Sequence, residues 1–217
     1  LEEEGLKFYL AYKDKIDSIF SDESAGNLSQ TDTELLLSSM YVYYAKKVYD
    51  GIDSKKIKEM GWFLPRKNLS YENLLDSLLT DPKLLRKNEQ QLFGQYYKLR
   101  DVLKKYRKKE KNGGWNPIAI DSLEKTYKPS DSSKTIGQIR QRLAQTGDLK
   151  LDSKSNVYDE ELMAGILNYK KRNGFNTDYL IASKHIQRMN IPIENYIKTI
   201  IANMERCRWI DPKLTKT

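Results

Sequence analysis

The sequence has few of the residues on which many metalloproteins and secreted proteins depend. Its 217 residues include one cysteine and one histidine. The single cysteine, Cys207, excludes an internal disulfide, so cysteine content says nothing positive about the compartment. The single histidine, His185, excludes a metal cluster built on several histidines. We expect neither a metal ion nor a cofactor.

Long apolar runs are also missing. No run approaches the roughly 18 residues that a membrane span needs, and we expect no signal peptide in this chain. We therefore expect no transmembrane segment in this chain.

Basic residues and tyrosine are abundant instead. The chain carries 38 basic and 30 acidic residues, a net charge of +8, and 15 tyrosines against five phenylalanines. The positive charge favours an acidic partner but does not identify one. Tyrosine suits a wet, half-buried interface because its ring is apolar and its hydroxyl is polar.

Apolar residues recur at helical spacing along most of the chain, and no segment alternates with period two, so we predict an all-α fold. The first part of the chain has five predicted helices. They cover residues 6–20, a run from the TDTE capping box at 31–34 to Gly51, residues 53–60, a run starting at Ser70, and the longest at about 88–111. Asp81-Pro82 is a further start signal.

Residues 135–192 form the most organised part of the sequence. A first helical run stops at Gly147, a second passes through Ile166 and stops at Asn173-Gly174, and a third covers about 182–189. Residues 116–134, with Pro117 and Pro129, are predicted to be a connector. A last helix is predicted over about 193–209.

Several motifs of this stretch resemble the peptidoglycan-binding-domain-like module. They are IRQRL at 139–143, TGDL at 146–149, Tyr158-Asp159 and RNGF at 172–175. The runs MNIPIE at 189–194 and NMERCRW at 203–209 resemble the junction that precedes the catalytic domain of periplasmic murein L,D-transpeptidases. ELLL at 34–37, YYKLR at 96–100 and GGWNPI at 113–118 resemble the front of the same family.

This resemblance implies a domain plan. Residues 1–115 would form a helical scaffold domain, 135–192 an inserted three-helix peptidoglycan-binding-like module, and 193–217 a helix that returns to the scaffold. The catalytic domain would follow outside this chain. The resemblance also implies a periplasmic or cell-envelope location.

The chemistry of the implied family is missing from the sequence. Its cysteine nucleophile lies in a Ser-x-Gly-Cys-x-Arg motif that does not occur here. We predict that Cys207 is buried on the same side of its helix as Ile200 and Met204, and that His185 is a structural residue. Glu160 and Glu161 are adjacent in the first turn of a helix, where they suit the dipole rather than glycoside hydrolysis. We therefore predict no catalytic residue.

Five residues are candidates for ligand binding. Tyr169 and Tyr179 could offer ring faces to sugars, and Arg142 and Arg172 could hydrogen-bond stem-peptide carboxylates. Asp178 belongs to the turn that would border the groove beside Tyr169. The expected partners are peptidoglycan glycan strands or stem peptides, together with the catalytic domain in cis.

Two alternatives remain at this point. The basic run at 104–111 could bind nucleic acid, although cations also suit a helix C-terminus and the run offers only Tyr106 for stacking. We expect no nucleic-acid partner. An autonomous peptidoglycan hydrolase is the second alternative, and it predicts muropeptide release by this chain alone.

Overall fold

The computed structural model describes residues 2–6, 12–21, 28–63, 69–81, 83, 92–120 and 125–212. The predicted all-α fold is confirmed: the described residues are mainly helical, and their strands are a single antiparallel pair of two residues each. The chain divides into two compact units, one made of residues 1–108 and 197–217, and one of residues 109–196.

The first unit contains α1 (Lys13–Phe20), α2 (Gln30–Ala45) with a π-helical turn (Lys46–Asp50), α3 (Ser54–Glu59), α4 (Tyr71–Thr80), and most of α5 (Gln95–Lys111). Three helices begin two or more residues away from the predicted start. The first, α1, begins at Lys13, directly after Tyr12 with φ of +62°, rather than at residue 6. Ser29, not Thr31, caps α2 by accepting from Asp32 N at 3.0 Å. The longest helix begins at Gln95, after the non-helical residues 92–94, rather than at 88. The Ser70 cap of α4 is confirmed. The start signal at Pro82 lies outside the described residues.

The second unit contains the short strand β1 (Thr126–Tyr127), then α6 (Lys134–Thr146), α7 (Glu160–Asn173), β2 (Ile181–Ala182) and α8 (Ser183–Met189). The predicted stops at Gly147 and Gly174 are confirmed, and both glycines adopt the left-handed conformation that ends a helix. Asp159 caps α7 by accepting from Leu162 N at 2.9 Å. The last helix, α9 (Ile193–Trp209), has the predicted bounds.

The segment predicted to be a connector forms part of the second unit. Tyr127 on β1 pairs with Ile181 on β2, and both side chains lie in the core together with Ile118. The Asn190 amide fixes Ile118 from both sides, since its oxygen accepts from Ile118 N and its nitrogen donates to Ile118 O, each at 2.8 Å. The described part of 116–134 is therefore held by pairing and burial, which its proline content did not suggest.

A buried arginine organises the first unit. Arg208, on α9, donates to Val48 O at 2.9 Å, to Glu4 O at 2.8 Å and to Glu205 Oε2 at 2.9 Å. It also donates to the hydroxyl of Tyr96 at 3.0 Å. Residues from both ends of the chain thus meet at one guanidinium.

Candidate functional site

A polar cavity of about 430 Å³ lies in the second unit, between the end of α5 and one face of α6. Its volume falls within the range of small-molecule sites, roughly 300–1,000 Å³. Five side-chain amides line it, together with two glycines, a proline, one tryptophan and one arginine. The lining residues are Asn112, Gly113, Gly114, Trp115, Asn116, Pro117, Gln138, Gln141, Arg142 and Gln145. None of them is acidic, so the single formal charge of the lining is positive.

Helix α6 supplies one wall through its periodicity. Gln138, Gln141 and Gln145 recur at intervals of three and four residues, which places them on one face. Another set at helical spacing, Ile139 and Leu143, is fully buried in the core of the unit. Burial of that set fixes the rotation of the helix, so the polar wall cannot turn away from the cavity.

The other wall begins at a glycine turn. Gly113 and Gly114 have φ of +91° and +68°, values that suit glycine, and Gly114 N donates to Lys109 O at 2.8 Å to close the end of α5. The turn leads into Trp115, whose indole N–H donates to Ile191 O at 3.2 Å. The glycine turn and this hydrogen bond together hold the indole in place beside Arg142.

Arg142 is the distinctive residue of the cavity. Its side chain is only 3% exposed, its Nη2 donates to Asn116 O at 2.7 Å, and its guanidinium carbon lies 4.7 Å from the ring centroid of Trp115. The Nε and Nη1 atoms are buried and have no hydrogen-bond partner. Burial lowers the pKa of Arg142 to about 10, so the group remains a cation at neutral pH.

Two other arginines show what a fully bonded buried guanidinium looks like in this protein. Arg140 and Arg208 are both fully buried. Arg140 has four acceptors at 2.6–3.2 Å, namely Ser155 O, Glu161 Oε2, Val157 O and Asp159 Oδ1. Every guanidinium nitrogen of Arg140 and of Arg208 therefore has an acceptor, whereas only one nitrogen of Arg142 does.

The other predicted ligand residues do not line this cavity. Tyr169 is 3% exposed and its hydroxyl donates to His185 O at 3.2 Å, so its ring offers no open face. Arg172 pairs with the buried Asp148 through two hydrogen bonds of 2.9 and 2.6 Å. Where a ligand groove was predicted, Tyr169 is therefore a core residue and Arg172 is already paired with a carboxylate.

The turn at 178–179 has a structural role and one exposed ring. The Asp178 carboxylate accepts from the buried Lys170 ammonium and from Leu180 N at 2.8 Å, and the hydrogen bond from Lys170 lowers the pKa of Asp178. Tyr179 is 41% exposed. Of the five predicted residues, Tyr179 alone presents an open aromatic face, and Arg142 alone lines the cavity.

Sequence reasoning missed most of the cavity. The signal was present, because Gln138, Gln141 and Gln145 share helical spacing with an arginine on the same helix. Trp115 was visible only as part of a family motif. The prediction grouped Arg142 with Tyr169 and the turn at 178–179, whereas the structure places it beside Trp115.

Cys207 and His185 are both buried. Cys207 is buried together with Ile200 and Met204, as predicted, and burial raises the pKa of its thiol. The His185 Nδ1 accepts from Ala182 N at 2.9 Å and so caps α8. Burial lowers the pKa of His185 to about 4, which keeps the ring neutral and able to accept.

Comparison with known proteins gives one family match, in the first part of the chain. Residues 1–103, slightly less than half of the sequence, are similar to the family described as "Scaffold domain". No curated protein matches the chain. None of the described helices has the length and apolar content that crossing a lipid bilayer demands.

Proposed function

We propose that this chain is the non-catalytic scaffold and peptidoglycan-recognition part of a periplasmic L,D-transpeptidase, which crosslinks stem peptides in cell-wall synthesis. The observation that carries the proposal is the order of parts: a Scaffold-like region at 1–103 is followed by a unit with a cationic, amide-lined cavity. The family motifs of the second half, including IRQRL at 139–143, agree with that order.

The proposed role is to hold substrate rather than to transform it. Amide side chains and a cation suit a polar, anionic polymer, and peptidoglycan stem peptides supply both amides and carboxylates. The catalytic domain would act in cis, and tethering would raise the local concentration of stem peptide near its cysteine. The chain itself is not the enzyme in this proposal, because Cys207 is buried and its thiol pKa is raised.

A nucleic-acid-binding role is the second candidate, and one observation favours it. Lys104, Lys105, Lys108 and Lys111 on α5 are all exposed. Exposed lysines bind phosphates without sequence preference and with strong salt dependence. The basic helix end is equally suited to the helix dipole, so the wall polymer remains the leading proposal.

Co-sedimentation with purified sacculi tests the proposal. The full chain should pellet with insoluble peptidoglycan at low salt and be released at high salt, because surface charge pairs are screened. A gel-retardation assay with duplex DNA, run in the same buffers, serves as the comparison. Protein that stays in the supernatant at low salt while shifting DNA would refute wall binding.

A second assay addresses the hydrolase alternative. Purified muropeptides incubated with the chain should give an unchanged chromatogram. New peaks that persist in Cys207→Ala would identify a hydrolase instead.

A further inference from the structure

We propose that the Arg142 cavity is a carboxylate-binding subsite that takes the C-terminal end of a short peptide. The inference rests on the proposed function for the source of that peptide, the stem peptides of peptidoglycan. The carboxylate chemistry itself follows from the cavity. The sugar-face groove beside Tyr169 is not part of this proposal.

The first step is the set of unsatisfied donors on Arg142. A guanidinium carries five N–H bonds, one on Nε and two on each terminal nitrogen. Nε and Nη1 lack acceptors, which leaves three of those N–H bonds without one. Buried polar groups in native proteins are nearly always hydrogen-bonded, and a buried charge without a counter-charge is costly. An acceptor brought by a ligand would remove that cost.

The second step is the charge of the acceptor. No acidic side chain lines the cavity, and the one protein acceptor of Arg142 is the neutral Asn116 carbonyl. One unbalanced cation matches one anionic group. A carboxylate forms short, strong charge-assisted hydrogen bonds with a guanidinium, and Nη1 still has both of its N–H bonds to offer. The Trp115 ring, whose centroid lies 4.7 Å from the guanidinium carbon, accepts no N–H bond in place of an anion.

The third step is the size and lining of the cavity. A volume of about 430 Å³ is larger than a single carboxylate needs. Gln141 and Gln145 each carry an amide, which is both a donor and an acceptor and so matches the two polar groups of a peptide bond. Gln138 already accepts from Ala119 N at 2.9 Å through its oxygen, which orients its NH₂ as a donor. These groups extend recognition from the carboxylate to the peptide behind it.

The test uses the full chain and three small probes. Isothermal titration with N-acetyl-D-alanyl-D-alanine should give saturable binding. Its C-terminal amide, which differs only in the loss of the charge, should bind at least tenfold more weakly, and so should acetate. Equal binding of acid and amide would overturn the carboxylate assignment, as would no saturable binding of the acid. Acetate binding as tight as the dipeptide would overturn the peptide assignment.

Variants then assign the binding to Arg142. Arg142→Gln should weaken the dipeptide acid by at least tenfold and abolish the difference between acid and amide. Arg188→Gln removes one positive charge from the exposed side of α8 and should leave both affinities unchanged. Near-ultraviolet circular dichroism should match wild type in both variants. An Arg142→Gln protein that retains the difference between acid and amide would refute the assignment. If that variant misfolds, the comparison of acid with amide in the wild-type protein still tests the carboxylate assignment.

The outcomes separate this inference from the proposed function. Sacculus binding that persists in wild type with no preference for the acid would retain wall recognition and reject the subsite. Acid-selective binding in a protein that does not sediment with sacculi would retain the subsite and reject wall recognition.

Discussion

Replacing Gly51 by alanine should lower the stability of the first unit by more than a glycine-to-alanine substitution usually does. Gly51 follows the π-helical turn at the end of α2, with φ of +70° and ψ of −137°. A Cβ at this position would lie 2.2 Å from Glu205 Oε1 and 3.0 Å from the Cδ of Arg208. Neither side chain can yield freely, because Arg208 is fully buried and Glu205 is held by three donors.

The expected loss in the free energy of unfolding has two contributions. An alanine in a backbone region reserved for glycine costs about 1–3 kcal/mol. Displacing Glu205 also disturbs its hydrogen bonds from Ile52 N at 2.6 Å, Trp209 Nε1 at 2.8 Å and Arg208 Nη1 at 2.9 Å. A hydrogen bond to a charged group contributes roughly 1.5–3 kcal/mol, and neighbouring bonds are not additive. We therefore expect a total loss of about 3–5 kcal/mol in the free energy of unfolding.

Gly61→Ala is the matched control. Gly61 belongs to the same unit and has φ of +79°, but an added Cβ would meet nothing within 4 Å. It should cost only the backbone strain, about 1–2 kcal/mol. Urea unfolding followed by tryptophan fluorescence in a Trp115→Phe background reports on this unit, since Trp62 and Trp209 lie 5.4 Å apart within it. Equal losses for the two alanine variants would refute the claim that Glu205 crowds Gly51.

Three further predictions concern pH, labelling and exchange. The pKa of the His185 imidazole is lowered from 6.5 to about 4, so the unfolded state takes up the proton at a higher pH than the folded state does. The stability of the second unit should therefore fall as the pH is lowered from 6.5 to about 4. His185→Gln should flatten that part of the profile of melting temperature against pH, and an unchanged slope would contradict the prediction. Native Cys207 should react slowly with a thiol reagent and quickly in urea, because it is buried; rapid stoichiometric labelling of native protein would count against this packing. Hydrogen exchange should give two protection classes that divide near residues 109 and 197, and one uniform class would mean a shared core.

Helix ends that depend on local chemistry could be predicted from the sequence. Gly147 and Gly174 end their helices because a left-handed residue closes the last turn, and Ser70 begins one because its hydroxyl accepts from Asn73 N at 3.3 Å. Each of these rules involves residues a few positions apart. The competing caps Ser29 and Thr31 lie within the same few positions, and pattern reasoning chose the wrong one.

Features that depend on distant partners could not be predicted in the same way. The segment at 116–134 resembles a linker by composition, but Tyr127 is buried because it pairs with Ile181, which lies 54 positions further along the chain. Tyr169 has the residue type of a sugar-stacking surface, and its burial follows from how α7 packs. Composition and hydrophobic period indicate which contacts a side chain could make, whereas the residues packed around it in the fold determine whether it is buried or exposed.

Two buried arginines on α6 illustrate the same limit at the candidate site. Arg140 and Arg142 are two positions apart on α6 and therefore point to different sides of the helix. The loop at 155–159 and the first turn of α7 meet Arg140 with carbonyls and carboxylates, while Arg142 meets one carbonyl and an indole ring. Their residue type is the same, so the sequence assigns them the same chemistry. Because acceptors from elsewhere in the fold satisfy one guanidinium and leave the other open, the functional candidate is the arginine with the fewest partners, not the one with the most.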